Sequence, residues 1–82
     1  MKEDFIQATA LELKLLRIEN NDLQEELAIK SSVAMSTISK YEKGCKNMNL
    51  KKIQQIIKPY NIDLFIFFNR ILAKTQEINK SE

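Results

Sequence analysis

The segment Ser31–Gly44 reads SSVAMSTISKYEKG, and its composition decides how the rest of the chain is interpreted. It opens with small polar residues and closes on the chain's one glycine. Ile38 and Tyr41 are spaced to share one face of a helix over Met35–Lys43. Hydroxyls and charges fill most of its other positions, so most of this helix is predicted to face outward. Gly44 is expected to end it in the left-handed conformation.

Two helices are predicted before this segment. Apolar residues recur at helical spacing across residues 4–20, and Asn21 favours the left-handed conformation that ends a helix. Asp22 followed by Glu25 matches a capping box, which predicts a short second helix ending near residue 30 or 31. The residues between the second and third helices are predicted to form a tight turn, with Val33 packed in the core.

Two more helices are predicted after the segment. Asn49 is expected to cap a fourth helix, and Pro59 is expected to stop it because proline lacks a backbone N–H. Asp63 is expected to cap a last helix over residues 64–78, which leaves 79–82 as a frayed tail. Glycine and proline occur once each, so the chain is predicted to be one all-α domain over residues 1–82.

The composition limits the functions that the chain can have. Its net charge is only +2, so any case for nucleic-acid binding depends on where the lysines lie. Cys45 is the chain's single cysteine, which favours a reducing, cytoplasmic setting. The chain has no histidine and no phosphate-binding loop, so we expect no enzyme, no metal and no cofactor. Its apolar runs are too short to span a bilayer, and no membrane partner is expected.

Two short helices joined by a turn of three or four residues, the second with a polar face, are typical of a helix-turn-helix. In that motif the second helix enters the major groove of DNA, and its N-terminal residues contact base edges. Small hydroxyl side chains suit this position because they approach bases closely and both donate and accept hydrogen bonds. The alternative is that these hydroxyls and lysines form an ordinary solvated surface.

Four fragments at matching separations resemble the phage-repressor and Cro-like helix-turn-helix regulators, also called the xenobiotic-response-element family. The fragments are LR at Leu16–Arg17, QEELA at Gln24–Ala28, STIS-YE-G from Ser36 to Gly44, and NL--I--I from Asn49 to Ile56. The resemblance covers roughly residues 13–62. It implies a five-helix lambda-repressor-like DNA-binding domain with the helix-turn-helix at helices 2 and 3.

The same resemblance implies roles for individual residues. It implies that Gln24 contacts a phosphate group at the start of the second helix. The side chains expected to face bases are Met35, Ser36 and Lys40. Those expected near the phosphate backbone are Thr37, Lys43, Lys46 and Asn47. A structural ion pair between Arg17 and Glu42 is expected to tie the first helix to the end of the third.

The chain departs from the family's pattern at the turn and at the start of the third helix. Ser32 replaces the usual turn glycine, which predicts a looser turn. Ala34 stands where a capping serine is usual, and Met35 stands where arginine or glutamine is common. A thioether cannot form a bidentate hydrogen bond with a base, but it can contact the methyl group of thymine.

The predicted last helix is apolar around more than one face, with LFIFFNRIL at Leu64–Leu72. One apolar stripe is enough to meet the core of a small bundle, so the surplus indicates an interface. We expect a twofold homodimer whose recognition helices lie about one DNA turn, roughly 34 Å, apart. The expected seam consists of Phe65, Phe68, Ile71 and Leu72. The alternative is that the first helix covers the surplus within the monomer.

The sequence therefore predicts a homodimeric, sequence-specific transcription regulator that binds a palindromic DNA operator. KNMNLKKI at Lys46–Ile53 resembles the controller proteins of restriction–modification systems, and a phage or plasmid repressor is the rival interpretation. An alternative from another class is an antitoxin-like module that neutralises a toxin and autoregulates its operon. Polymerase would be the protein partner of a regulator, and a toxin would be the partner of an antitoxin-like module. The sequence leaves open the operator and whether the protein activates or represses.

Overall fold

The computed structural model describes the backbone of residues 3–80 and the side chains of residues 4–74. Within this part of the chain the predicted all-α, five-helix fold is confirmed, and no strand is present. The helices are α1 (Glu3–Glu19), α2 (Gln24–Ser31), α3 (Met35–Lys43), α4 (Leu50–Ile57) and α5 (Leu64–Lys80), with a 3-10 turn at Lys58–Tyr60. None of the helices described is both long enough and apolar enough to cross a membrane.

One hydrophobic core holds the helices together. α1 packs against α3 and α5, while α2 packs against α3 and α4. Leu27 of α2, Ile53 of α4 and Phe67 of α5 are fully buried at this junction. Burying a side chain of this kind contributes about 1.5–3 kcal/mol. α3 contributes the buried Ile38 and Tyr41 to this core, while Ser36, Lys40 and Lys43 on its outer face are exposed.

Most helix ends lie where local sequence signals predict them. Asn21 and Gly44 are left-handed, with φ angles of 59° and 88°. The side chain of Asn49 accepts from the Lys52 N–H at 3.1 Å, and that of Asp63 accepts from the Ile66 N–H at 2.8 Å. α5 continues to Lys80, two residues beyond its predicted end at residue 78. Residues 81 and 82 lie outside the described residues.

The capping box expected at Asp22 and Glu25 is wrong by one residue. Leu23 is the N-cap of α2, and its backbone N–H donates to Glu26 Oε1 at 2.9 Å. Asp22 is buried instead, where its two carboxylate oxygens accept from Lys30 Nζ at 2.8 and 2.9 Å. The Tyr60 hydroxyl also donates to Asp22 Oδ2 at 2.8 Å. Three hydrogen bonds from Lys30 and Tyr60 therefore occupy the carboxylate that was expected to cap α2.

A second buried carboxylate sets the position of α5. Glu12 of α1 is 1% exposed and accepts from Lys74 Nζ at 2.7 Å and from Arg70 Nε at 3.3 Å. Arg70 also donates to Glu19 at 2.9 Å. These bonds fix α5 against α1, and therefore decide which face of α5 turns outward.

Candidate nucleic-acid interface

α3 divides cleanly into a buried face and an exposed face. Ile38 and Tyr41 are 1% and 7% exposed and anchor the helix to the core. Ser36, Lys40 and Lys43 are all exposed, and their spacing of four and three residues places them in one row. The row carries a hydroxyl and two ammonium groups on the side away from the core. Such a surface can donate hydrogen bonds and attract an anion.

The residues at the start of α3, before this row, carry apolar groups. Met35 is 51% exposed, and Ala34, the N-cap residue, forms no side-chain cap. Thr37 is half-buried on the flank of the helix. Ser39 is also half-buried, and helical spacing places it beside Met35.

The turn before α3 is stabilised by hydrogen bonds from α4. Ser32 adopts the left-handed conformation with a φ angle of 58°, which costs a non-glycine residue about 1 kcal/mol. The Gln55 amide of α4 donates to the carbonyl oxygens of Ser31 and Ser32, at 3.0 and 3.2 Å. The Ser31 hydroxyl donates to the Leu27 carbonyl at 2.7 Å. The turn is therefore tied to α4, contrary to the expectation that Ser32 would loosen it.

The ion pair expected between Arg17 and Glu42 is formed, and it is bidentate. Arg17 Nε lies 2.8 Å from Glu42 Oε2, and Arg17 Nη2 lies 3.0 Å from Oε1. Their side chains are 12% and 5% exposed. Arg17 Nη1 also donates to the Asp22 carbonyl at 2.8 Å. One guanidinium therefore joins α1, the start of α2 and the end of α3.

Gln24 is oriented by the same carboxylate. Its Nε2 donates to Glu42 Oε1 at 3.1 Å, and its side chain is half-buried. A primary amide has two N–H donors, so one donor stays available for a ligand such as a phosphate oxygen. The first residue of α2 is thus held in place from α3 before any ligand arrives.

The loop after α3 presents two more polar residues. Lys46 and Asn47 are exposed. The Tyr41 hydroxyl accepts from the Asn49 backbone N–H at 3.0 Å, which anchors the far end of this loop to the core face of α3. Lys46 and Asn47 lie in the loop directly after Lys43, the last residue of α3 and of the exposed row. The predicted DNA-contacting residues thus lie on α3, in the loop that follows it and at the start of α2.

The outer face of α5 is a separate apolar surface. Phe65, Ile66 and Leu72 are 75%, 45% and 49% exposed. Phe68 is half-buried and stacks on Phe5 of α1, with ring centroids 5.6 Å apart. Ile71 is 1% exposed in the protomer's own core, so its expected place in an intermolecular seam is corrected. α1 covers part of the surplus apolar surface, and the rest stays exposed.

A short helix, a tied turn and a second helix that presents hydroxyls and lysines define the helix-turn-helix class of DNA-binding proteins. The chain belongs to the helix-turn-helix family, whose sequence pattern matches residues 13–67, well over half of the chain. It is a DNA-binding transcription regulator of this class. No curated protein matches the chain.

Solved structures of one restriction–modification controller protein, C.Esp1396I, are similar to this chain. The wild-type protein is 24% identical with a TM-score of 0.82, and the match covers 93% of this chain and 99% of that one. The C.Esp1396I tetramer in complex with its natural 35 base-pair operator is 25% identical with a TM-score of 0.79, covering 88% and 95%. C.Esp1396I bound to a 25 base-pair operator site is 25% identical with a TM-score of 0.78, also covering 88% and 95%.

Proposed function

We propose that the chain is a homodimeric transcription regulator of the controller type, which binds a palindromic operator through α3. The observation that carries the proposal is the exposed row of Ser36, Lys40 and Lys43 on a helix whose other face is buried. The likeness to controller structures with operator DNA supports it. The comparisons do not favour the antitoxin-like alternative.

The polar contacts divide into two kinds. Lys43, Lys46 and Asn47 approach the phosphate backbone, together with Thr37 and the remaining N–H of Gln24. Contacts of this kind fix the register of α3 on the duplex without reading the sequence. Ser36, Lys40 and Met35 point into the major groove and contact base edges there. Because Gln24 is already held by Glu42, little conformational freedom is lost when it binds a phosphate.

A second copy of this chain is the proposed occupant of the apolar face of α5. Phe65 and Leu72 lie seven residues apart on one helical face, and both are exposed. An isologous contact between two such faces buries both copies at once. In the proposed dimer the two α3 helices lie on one side of the molecule and meet successive major grooves about 34 Å apart. We therefore propose a seam of Phe65, Phe68 and Leu72, from which Ile71 is removed.

Regulation follows from where the dimer binds relative to a promoter. An operator that overlaps the promoter excludes polymerase, and one placed upstream allows the dimer to recruit it. We propose that the protein acts in the cytoplasm, needs no cofactor and catalyses no reaction.

Selection of bound sequences from a random pool of duplex DNA tests this function. We expect enrichment of a palindrome whose half-site centres are about one helical turn, roughly 10 base pairs, apart. The matched control is the variant with Lys40→Ala and Lys43→Ala, which keeps the buried face of α3 and loses two of its cations. Absence of enrichment with the wild-type protein would refute the proposal, as would equal enrichment with the control.

A further inference from the structure

The reading end of α3 differs chemically from the rest of its exposed face. Among the described residues of α3, Met35 is the one large apolar side chain that is exposed, at 51%. Ala34, directly before it, adds a methyl group and no polar cap. The exposed residues that follow Met35 along α3, namely Ser36, Lys40 and Lys43, are all polar. The N-terminal end of α3, at Ala34 and Met35, is therefore apolar, whereas the rest of its exposed face is polar.

The major groove offers such a tip few partners. Its base edges present donors and acceptors, with one apolar exception, the methyl group on C5 of thymine. A thioether donates no hydrogen bond and accepts only weakly. A polar base edge packed against Met35 would therefore lose its hydrogen bonds to water and gain none from the protein. A methyl group forms no hydrogen bonds with water, and its burial against Met35 is favourable. The methyl group of 5-methylcytosine occupies the same place on the pyrimidine ring.

We propose that Met35 reads the C5 methyl group of one pyrimidine in each half-site, and accepts thymine and 5-methylcytosine there for the same reason. The inference rests on the proposed function and names the chemical group that its reading helix selects. Burial of one methyl group corresponds to about a fourfold gain in affinity per half-site. Two half-sites bound by one dimer give about a fifteenfold gain, provided that both contacts form.

Replacement of thymine by deoxyuridine removes this methyl group and changes no Watson–Crick contact. Each thymine of the selected operator is replaced in turn, in both half-sites together, and the dissociation constant is measured by fluorescence anisotropy. We expect one position at which the wild-type protein loses affinity about fifteenfold. At the same position, a cytosine·guanine pair is expected to bind more tightly once the cytosine carries a C5 methyl group.

Two variants assign the effect to Met35. Met35→Ala should bind the thymine and deoxyuridine operators with affinities that differ by less than about twofold. Leu11→Ala is the matched control, because Leu11 is a large apolar residue with similar exposure, 52%, but lies on α1. This variant should lose affinity on deoxyuridine replacement to the same extent as the wild type. Tight operator binding without a methyl-sensitive position would overturn this inference alone. An undiminished loss with Met35→Ala would also overturn it, and failure to bind any operator would refute the proposed function as well.

Discussion

The side-chain amide of Gln24 donates a 3.1 Å hydrogen bond to Glu42, the carboxylate that Arg17 also grips with two nitrogens. The start of α2 and the end of α3 are therefore held by one acidic group with 5% side-chain exposure. The same ion pair that holds α1 on α3 also orients the amide that is proposed to contact DNA.

We expect Arg17→Met to lower the free energy of unfolding by about 3 kcal/mol, because it leaves the buried Glu42 carboxylate without its cation. The double variant Arg17→Met, Glu42→Leu should lose less free energy of unfolding than the two single variants lose in sum, because it leaves no unpaired buried charge. Urea denaturation followed by circular dichroism measures all three variants. Strict additivity of the single effects would show that the two residues are not coupled.

The lysines of α3 make a separate prediction for DNA binding. Each lysine that neutralises one phosphate contributes about −0.9 to the slope of log K against log salt concentration. A dimer carries two copies, so Lys43→Ala should reduce the magnitude of this slope by about 1.8. Titrations of a selected operator at several salt concentrations measure it. Lys14→Ala, which removes an exposed lysine from α1, should leave the slope unchanged; equal slopes for the wild type and Lys43→Ala would argue against a phosphate contact.

Phe65 gives the sharpest test of the proposed dimer. At 75% exposure it contributes little to the protomer's core, so Phe65→Asp should keep the helical signal and turn a dimer into a monomer. Phe68 is less suitable, because it stacks on Phe5 and its replacement would also disturb α1. Sedimentation equilibrium measures the mass. Ile29→Asp, at a position 81% exposed on α2, is the control and should leave the mass unchanged. A wild-type protein that stays monomeric at high micromolar concentration would contradict the dimer.

Asp22 predicts how stability changes in acid. The hydrogen bond from Lys30, with a second from Tyr60, lowers the pKa of Asp22 below its usual 3.8. A carboxyl with a depressed pKa stabilises the fold above its unfolded pKa, and this contribution is lost as the pH falls through the folded pKa. Asp22→Asn should therefore be less stable than the wild type at neutral pH, with the gap closing below pH 3.8. Thermal midpoints across this range measure the gap, and a gap that is constant with pH would contradict the assignment.

Local signals in the sequence predicted α3 and several helix ends correctly. The bounds Met35–Lys43 follow from the spacing of Ile38 and Tyr41, together with a glycine that tolerates a φ angle of 88°. The caps at Asn49 and Asp63 also depend on residues only three positions away. Such features are set by neighbours in the chain, so periodicity and capping preferences are sufficient to find them.

The features that the sequence did not predict depend on distant residues. Asp22 leaves the cap of α2 because Tyr60, 38 residues later, shares its carboxylate. Glu12 accepts a hydrogen bond from Lys74, which lies 62 residues later in the chain. Gln55 donates to the carbonyl oxygen of Ser31, which lies 24 residues earlier. α5 is apolar on several faces, so its sequence alone left open that Ile71 would be buried. The packing of α5 on α1 decides this, and no local pattern contains it.

Mapping where the start of α3 lies on operator DNA tests its placement in the major groove most directly. Ser36→Cys in a Cys45→Ser background carries an iron–EDTA group on the exposed row and cleaves the DNA strands closest to it. Two α3 helices in successive major grooves should give two clusters of cleavage, one in each half-site and about one helical turn apart. Absence of cleavage on an operator that the conjugate still binds, or one cluster outside both half-sites, would contradict the placement of α3 in the major groove.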